Sequence, residues 1–485
     1  MAPPATLCGL PPRDTEERGI RSLLRICFPG PGALALALLT CVVLPAVLIG
    51  IHVHENYALS PQDESSEYDY VNRVAAGSVP GVEQPLLPAT LRLIACHGVA
   101  APGLALPPCG SGTLTASEFG PLGYSDEAQQ PPVYYAITAG LRWIPRQLLG
   151  VSLLSATRLT GIAWLAAGLL LLWGTGRLLD VGVLPLSAGV ILLGTSPGVL
   201  YQSSIVDNSA SGVFAGALPL FVAALAWRRP KPWTPPVLGL SALVTCGLYL
   251  TSALGFLALA VVFLLLAVSD RGGAERAGRA GRRAARALAN PWVLRAVAVS
   301  AGVVVALGGW YVAYRHLPLY DLQMRPSAGL LREYGAPSLG VFLTQGLNLL
   351  QPLTQTATGA AYRATSAGAI AGPPLSQNLQ VVMSTLLELL LIAGALAWLF
   401  VRPRLWSHWA GMVSLPVLYL GGLATGLLEW QLLHTYPTLA NRYGLSVTPL
   451  LVLGLVGSLR GRGAKAAVGA FGACQAGLAF YFLLA

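Results

Sequence analysis

Long, nearly uncharged apolar runs limit what this chain can fold into more than any other feature. They lie at 33–53, 152–173, 182–200, 209–227, 236–268, 293–313, 379–401, 406–427, 444–459 and 467–484. Most approach the roughly 20 residues that a helix needs to cross about 30 Å of hydrocarbon. Charged residues are 10% of the chain, against about 25% in soluble domains. In lipid the backbone must satisfy its own hydrogen bonds, so the runs are read as helices. The fold class expected is an all-α polytopic membrane protein. The run 236–268 is too long for one span and has basic clusters at both ends, so it is read as a hairpin of two short helices turning near Thr251–Gly255. That makes eleven spans.

Basic residues set the orientation. With residues 1–29 as a cytoplasmic tail, the inside segments hold Arg13–Arg25, Arg177, Arg228–Lys231, Arg271–Arg286, Arg402–Arg404 and Arg460–Lys465, as the positive-inside rule requires. The first helix is too long for a signal-peptide core and no small-residue cleavage site follows, so it is read as retained. The transmembrane domain then spans 30–485, with a first extracytoplasmic loop at 54–151 and a second at 315–378. The net charge of +10 describes anchoring to anionic headgroups rather than nucleic-acid binding, because the Arg-rich stretch lacks interleaved aromatics. Of seven cysteines, Cys96 and Cys109 share the first loop. Their spacing suits a disulfide in an oxidising compartment, against the alternative of two free thiols.

Candidate chemistry lies at the ends of that first loop. Asp63-Glu64 follows the first helix by about ten residues, close to the membrane surface. A carboxylate beside low-dielectric material gains a raised pKa and serves as a general base; the alternative is a solvated loop. Asp126-Glu127 precedes Gln129-Gln130-Pro131-Pro132-Val133-Tyr134-Tyr135 and then a helical pattern of apolar residues with Arg142 and Arg146, read as a membrane-lying helix kinked by Pro145. Glu388 sits mid-span, either as a functional intramembrane acid or as a neutral hydrogen-bonding one. His434 lies in the last long outside loop.

The order of these motifs resembles the GT-C superfamily of polyprenyl-phosphate-sugar-dependent glycosyltransferases, most closely the protein O-mannosyltransferases and the aminoarabinose lipid A transferases. The resemblance rests on Asp63-Glu64 after the first helix, the acidic pair before Gln-Pro-Pro-Val-Tyr-Tyr, Ser155-Ala156-Thr157-Arg158-Leu159, Ser204-Ile205-Val206-Asp207-Asn208, and Asn441-Arg442-Tyr443 followed by Pro449. It implies an inverting hexosyl or pentosyl transferase in the plasma (inner) membrane. The donor would be a polyprenyl-phosphate-linked sugar, and the acceptor an envelope glycan, lipid or protein. Asp63 would be the base, with Asp126 or Glu127 as the alternative. Arg442, with Tyr443 beside it, would bind the donor phosphate, unless it only snorkels. Arg158 would bind phosphate or pair with Asp207 or Glu127. The central loop lacks the soluble repeat domain usual in the O-mannosyltransferases. No metal site is carried over, although a divalent cation shared by Asp63, Asp207 and Glu127 is left open. Ala-, Gly- and Arg-rich usage hints at a bacterium. The competing readings are a transporter or lipid flippase, and an inactive scaffold of the same fold.

Overall fold

A computed structural model describes residues 20–100, 104–228, 231–271, 290–318, 332–334, 338–353, 374–397, 406–433, 435–437 and 439–484. Helices dominate. Five are long and apolar enough to cross a membrane: Pro31–Glu55, Leu153–Leu178, Asn208–Arg228, Leu250–Val268 and Pro291–Tyr314. Shorter apolar helices run at Val183–Gly194, Thr234–Leu248, Val382–Leu396 and Gly411–Leu427. One exception to the all-helical expectation is a two-stranded antiparallel ribbon, β1 (Arg332–Tyr334) on β2 (Thr435–Pro437).

Helix α1 (Pro31–Glu55) begins with a proline at its first turn, where no intrahelical donor is needed. It loosens into a π turn at Leu39–Val43 just before Pro45, whose ring and missing N–H disturb the regular ladder. The segment after it is not an open loop. It folds into α2 (Glu64–Ala75), α3 (Pro88–His97), and two short helices, α4 (Val133–Leu141) and α5 (Trp143–Leu149). Cys96 and Cys109 are joined by a disulfide that closes the loop after α3. The break between α4 and α5 falls at Leu141–Arg142. Leu141 is the residue four before Pro145, whose carbonyl the proline ring would strike. Trp143, Ile144, Leu148 and Leu149 of α5 are all exposed.

The main layer continues with α6 (Leu153–Leu178), α7 (Val183–Gly194), α8 (Pro197–Gln202), α9 (Gly212–Arg228), α10 (Thr234–Leu248), α11 (Ala253–Arg271) and α12 (Pro291–Tyr314). The apolar run 182–200 is therefore not one helix. It breaks at Thr195–Ser196, because Pro197 restricts the residue before it and starts a new helix. The run 236–268 divides at Tyr249–Ser252, next to the expected turn. Both halves pack on α12. At the α10–α12 crossing the backbones touch: a side chain on Gly302 would run into the Gly239 carbonyl. Small residues allow such close approach in helix layers that cannot rely on a hydrophobic driving force.

The C-terminal part holds α13 (Leu339–Leu349), α14 (Pro374–Leu396), α15 (Trp406–Leu433), α16 (Thr448–Ser458) and α17 (Gly461–Leu484). Helix α13 lies inside the segment read as a second loop and packs on α15, with Gly346 against the ring and carbonyl of Tyr419. At 11 residues it is too short to register as a span. Between α15 and α16 a 3-10 turn, Asn441–Val447, lies directly on α9. There a side chain on Gly216 would collide with the Ser446 carbonyl.

Candidate functional site

The site begins at the junction of α1 and α2. Glu64 opens α2 and is fully buried. Its Oε2 accepts from Ser60 N at 2.6 Å and its Oε1 from Val206 N at 3.0 Å. Arg158 of α6 completes the shell bidentately, with Nε on Oε1 at 2.7 Å and Nη2 on Oε2 at 2.8 Å. The rest of the guanidinium donates to the Asn56 and Ala58 carbonyls, at 2.6 and 2.8 Å. Every Arg158 nitrogen is thus committed. Its carboxylate partner is Glu64, rather than the Asp207 or Glu127 weighed as the alternative to phosphate, and four of its five N–H donors are taken up by these contacts. Glu64 in turn has no lone pair to spare for an acceptor hydroxyl. Together the two ion-paired residues pin the 56–64 turn to α6 and to the 204–206 segment.

That turn delivers Asp63. Its backbone is left-handed, φ 56° and ψ 4°, a region that Asp enters more readily than most residues. Asp63 precedes α2, yet its carboxylate does not cap the helix. It reaches Arg442 instead, accepting from Nη2 at 2.9 Å. Arg442 is the second residue of the 3-10 turn. Its carbonyl accepts from the Tyr249 hydroxyl at 2.9 Å, while Asn441 donates to the Gln351 carbonyl at 3.1 Å. Tyr443 lies beside the guanidinium, with its ring centre 5.8 Å from Arg442 Cζ.

Asp207 is the other acid at Arg442, its Oδ2 standing 3.7 Å from Nε. Its Oδ1 is held by Ser209 N at 2.7 Å. Gln202 links the two sides: its amide donates to Gln62 Oε1 at 2.8 Å, and it accepts from Ser209 Oγ at 2.7 Å. Burial raises the pKa of Asp207, and the Arg442 charge opposes that rise.

Asp126 and Glu127 complete the group. The turn carrying them is fixed by Trp310 of α12, whose indole donates to the Gln129 carbonyl at 2.6 Å, and by Tyr70, whose hydroxyl donates to the Gln130 carbonyl at 2.9 Å. One carboxylate oxygen from each of Asp63, Asp126 and Glu127 lies within 4.8 Å of the others. Such crowding is relieved by a bound proton or by a hard divalent cation. The triplet differs from the set left open for a shared cation, Asp63, Asp207 and Glu127, in having Asp126 where that set has Asp207. Glu127 is buried, and its pKa is pushed well up by burial and then by the neighbouring Glu67 charge.

Glu67, one turn into α2, is a site residue that sequence reasoning missed. It is 2% exposed. Burial and then the Asp207 charge hold its carboxyl well above the usual range. The hydroxyl of Tyr135 is turned towards it, outside hydrogen-bond geometry. Tyr135 is stacked on Tyr70 with ring centres 3.6 Å apart. The usable signal was spacing: Glu64 and Glu67, three apart on a helix, share a face with the preceding Asp63.

The structure therefore brings Asp63, Asp126, Glu127, Asp207, Arg442 and Tyr443 together, sets Glu64 and Arg158 beneath them as a buried pair, and adds Glu67. Glu388 lies apart. Buried in α14, it accepts from Leu353 N at 2.9 Å and so secures the end of the α13 segment. His434 falls outside the described residues. No family model and no curated protein matches the chain.

Proposed function

We propose that the chain is an inverting membrane glycosyltransferase that moves a hexosyl or pentosyl group from a polyprenyl-phosphate donor to a cell-envelope acceptor at the extracytoplasmic face. The observation that carries this reading is the meeting of Asp63 and Arg442 at one end of the apolar helix layer. A transferase with a lipid-phosphate leaving group needs a base for the acceptor and a cation for the departing phosphate, both at membrane-surface depth.

In this scheme the acceptor oxygen attacks the anomeric carbon from the side opposite the phosphate. The carbon–oxygen bond to phosphate breaks, and its electron pair leaves with the phosphate. The acceptor's proton passes to Asp63. Arg442 matches the phosphate oxygens with its planar fork and exchanges its carboxylate partners for them as the donor enters. Eleven spans of GT-C type, an N-terminus in the cytoplasm and a site on the outer side of the plasma membrane complete the proposal. It is supported by the basic residues Arg177, Arg228 and Arg271, each near the end of a helix that starts on the site side.

The test is donor consumption. Purified protein in nanodiscs is offered a panel of labelled polyprenyl-phosphate sugars with envelope extract, beside Asp63→Asn. Transfer by the wild type that is lost in the folded variant supports the reading and names the sugar. Transfer that persists in the variant moves the base to Asp126 or Glu127. No transfer from any donor returns the chain to the transporter or scaffold readings.

A further inference from the structure

Six buried polar atoms that lack a hydrogen-bond partner belong to the site's own acids or to residues on the segments that carry and adjoin them. They are Glu67 Oε2, Ser125 Oγ, Gln130 Oε1, Tyr135 Oη, Asp207 Oδ2 and Asn208 Nδ2. They come from four separate segments: α2, the 124–130 turn, α4 and the turn before α9. Glu67, Tyr135 and Asp207 are 2%, 0% and 1% exposed. An unmet hydrogen-bonding atom at that depth is costly, and folded proteins rarely keep several without a purpose. The six atoms also state what chemistry would meet them. Glu67, Gln130 and Asp207 offer acceptors, Asn208 offers a donor, and the Ser125 and Tyr135 hydroxyls offer both. A ligand carrying several hydroxyl groups both donates and accepts.

Position narrows the choice further. Asp207 Oδ2 is 3.7 Å from Arg442 Nε, and Glu67 is close enough to feel the charges of Asp207, Asp63 and Arg442. In a sugar ester the anomeric carbon is one oxygen away from phosphorus, so the ring hydroxyls lie within one ring's width of a phosphate held by Arg442. Resting on the glycosyltransferase reading, we infer that Glu67, Tyr135 and Asp207 form a subsite for the hydroxyl groups of the donor sugar and thereby choose which sugar is moved. A site built to hydrogen-bond a hydroxyl rejects the analogue that lacks it, because its own buried groups are then left unpaired.

The experiment compares equilibrium binding of two kinds of probe to the full chain in nanodiscs: short-chain polyprenyl phosphate, and its hexosyl and pentosyl esters. Tyr135→Phe keeps the ring that stacks on Tyr70, and Glu67→Gln keeps the side-chain shape. Each variant is expected to weaken the preferred sugar ester roughly tenfold or more while leaving the bare phosphate within about twofold. Tyr135→Phe is also expected to reorder the ranking of epimeric esters. Equal weakening of both probes, or weakening of neither, overturns the subsite while the transferase reading stands. Failure of the wild-type protein to bind either probe overturns that reading and the subsite with it.

Discussion

Arg442 donates to Asp63 at 2.9 Å across 379 positions of chain, and the same guanidinium stands 3.7 Å from Asp207. The ion pair holds together the two groups that the proposed chemistry needs to separate once a donor phosphate arrives. Each is fixed by other means: Asp63 by the Glu64–Arg158 pair beneath its turn, Arg442 by the contacts of its 3-10 turn with Tyr249 and α9. The pair is therefore a meeting of two supported residues rather than a mutual prop.

Asp63→Asn tests the base. An amide keeps the size of the carboxylate and its acceptor oxygen for Arg442 but cannot take a proton. Transfer is expected to fall about 10²- to 10⁴-fold with donor affinity retained. Arg442→Lys keeps the charge but loses the planar fork, so its main effect is expected on the donor KM. Single-turnover kinetics with labelled donor separates the two effects; a fall in donor affinity for Asp63→Asn would argue against its role as base.

The Glu64–Arg158 pair makes a different kind of demand. Both side chains are inaccessible, at 0% and 4% exposure. Removing one partner strands a buried charge, at a cost of about 3–5 kcal/mol. Arg158→Met and Glu64→Gln are each expected to lower the unfolding midpoint in detergent sharply. The double variant Arg158→Met/Glu64→Leu is expected to recover part of the loss, since a buried ion pair is often replaceable by packed apolar side chains. A double variant no more stable than either single one would show that the backbone contacts at Asn56 and Ala58 matter more than the charge pair.

Much of the layer was legible because membrane helices announce themselves by length and apolarity. The interruption of 236–268, the Pro145 kink and the Cys96–Cys109 pairing all follow from local rules of span length, proline geometry and loop closure. The partner of Arg158 was not legible. Glu64 is 94 positions away, and no local rule distinguishes it from the Asp207 and Glu127 carboxylates that looked equally suitable. Glu67 was hidden for a related reason: an acid- and serine-rich stretch after the first helix suits a solvated loop, whereas the fold makes it a helix and buries Ser65, Ser66, Glu67 and Asp69 alike. Short apolar helices such as α13 also escape a search tuned to full spans.

Helix α5 offers a structural check. Trp143, Ile144, Leu148 and Leu149 are exposed, with Leu148 at 77%. An exposed apolar face with Arg142 and Arg146 alongside fits the headgroup boundary of a bilayer. A spin label at Leu148→Cys, with the exposed Cys474 changed to Ser, is expected to report a depth of about 5–10 Å below the phosphates. Accessibility to oxygen should then exceed that to a water-soluble nickel reagent. The reverse ranking would place α5 in water.

The buried acids make stability depend on pH in an unusual direction. Glu67 and Glu127 have carboxyls raised well above 4.5, chiefly by burial, and Asp207 is raised above 3.8 by the same cause. Above these ordinary values the unfolded chain gives up its protons while the folded chain keeps them. The folded state then binds more protons, so stability falls as pH rises. The full contribution is present below the ordinary values, and the loss ends once the folded groups have ionised. The limiting slope is about 1.4 kcal/mol per pH unit for each proton held, shared within the set because the acids interact. Thermal unfolding in detergent between pH ~5 and ~8 should show the midpoint decreasing with pH, and Glu67→Gln should flatten that decrease. A wild-type midpoint that rises over this range would mean that these carboxylates are ionised and stabilised in the folded protein, by Arg442 or by a bound cation at Asp63, Asp126 and Glu127. Repeating the melts with a divalent chelator would tell those two apart.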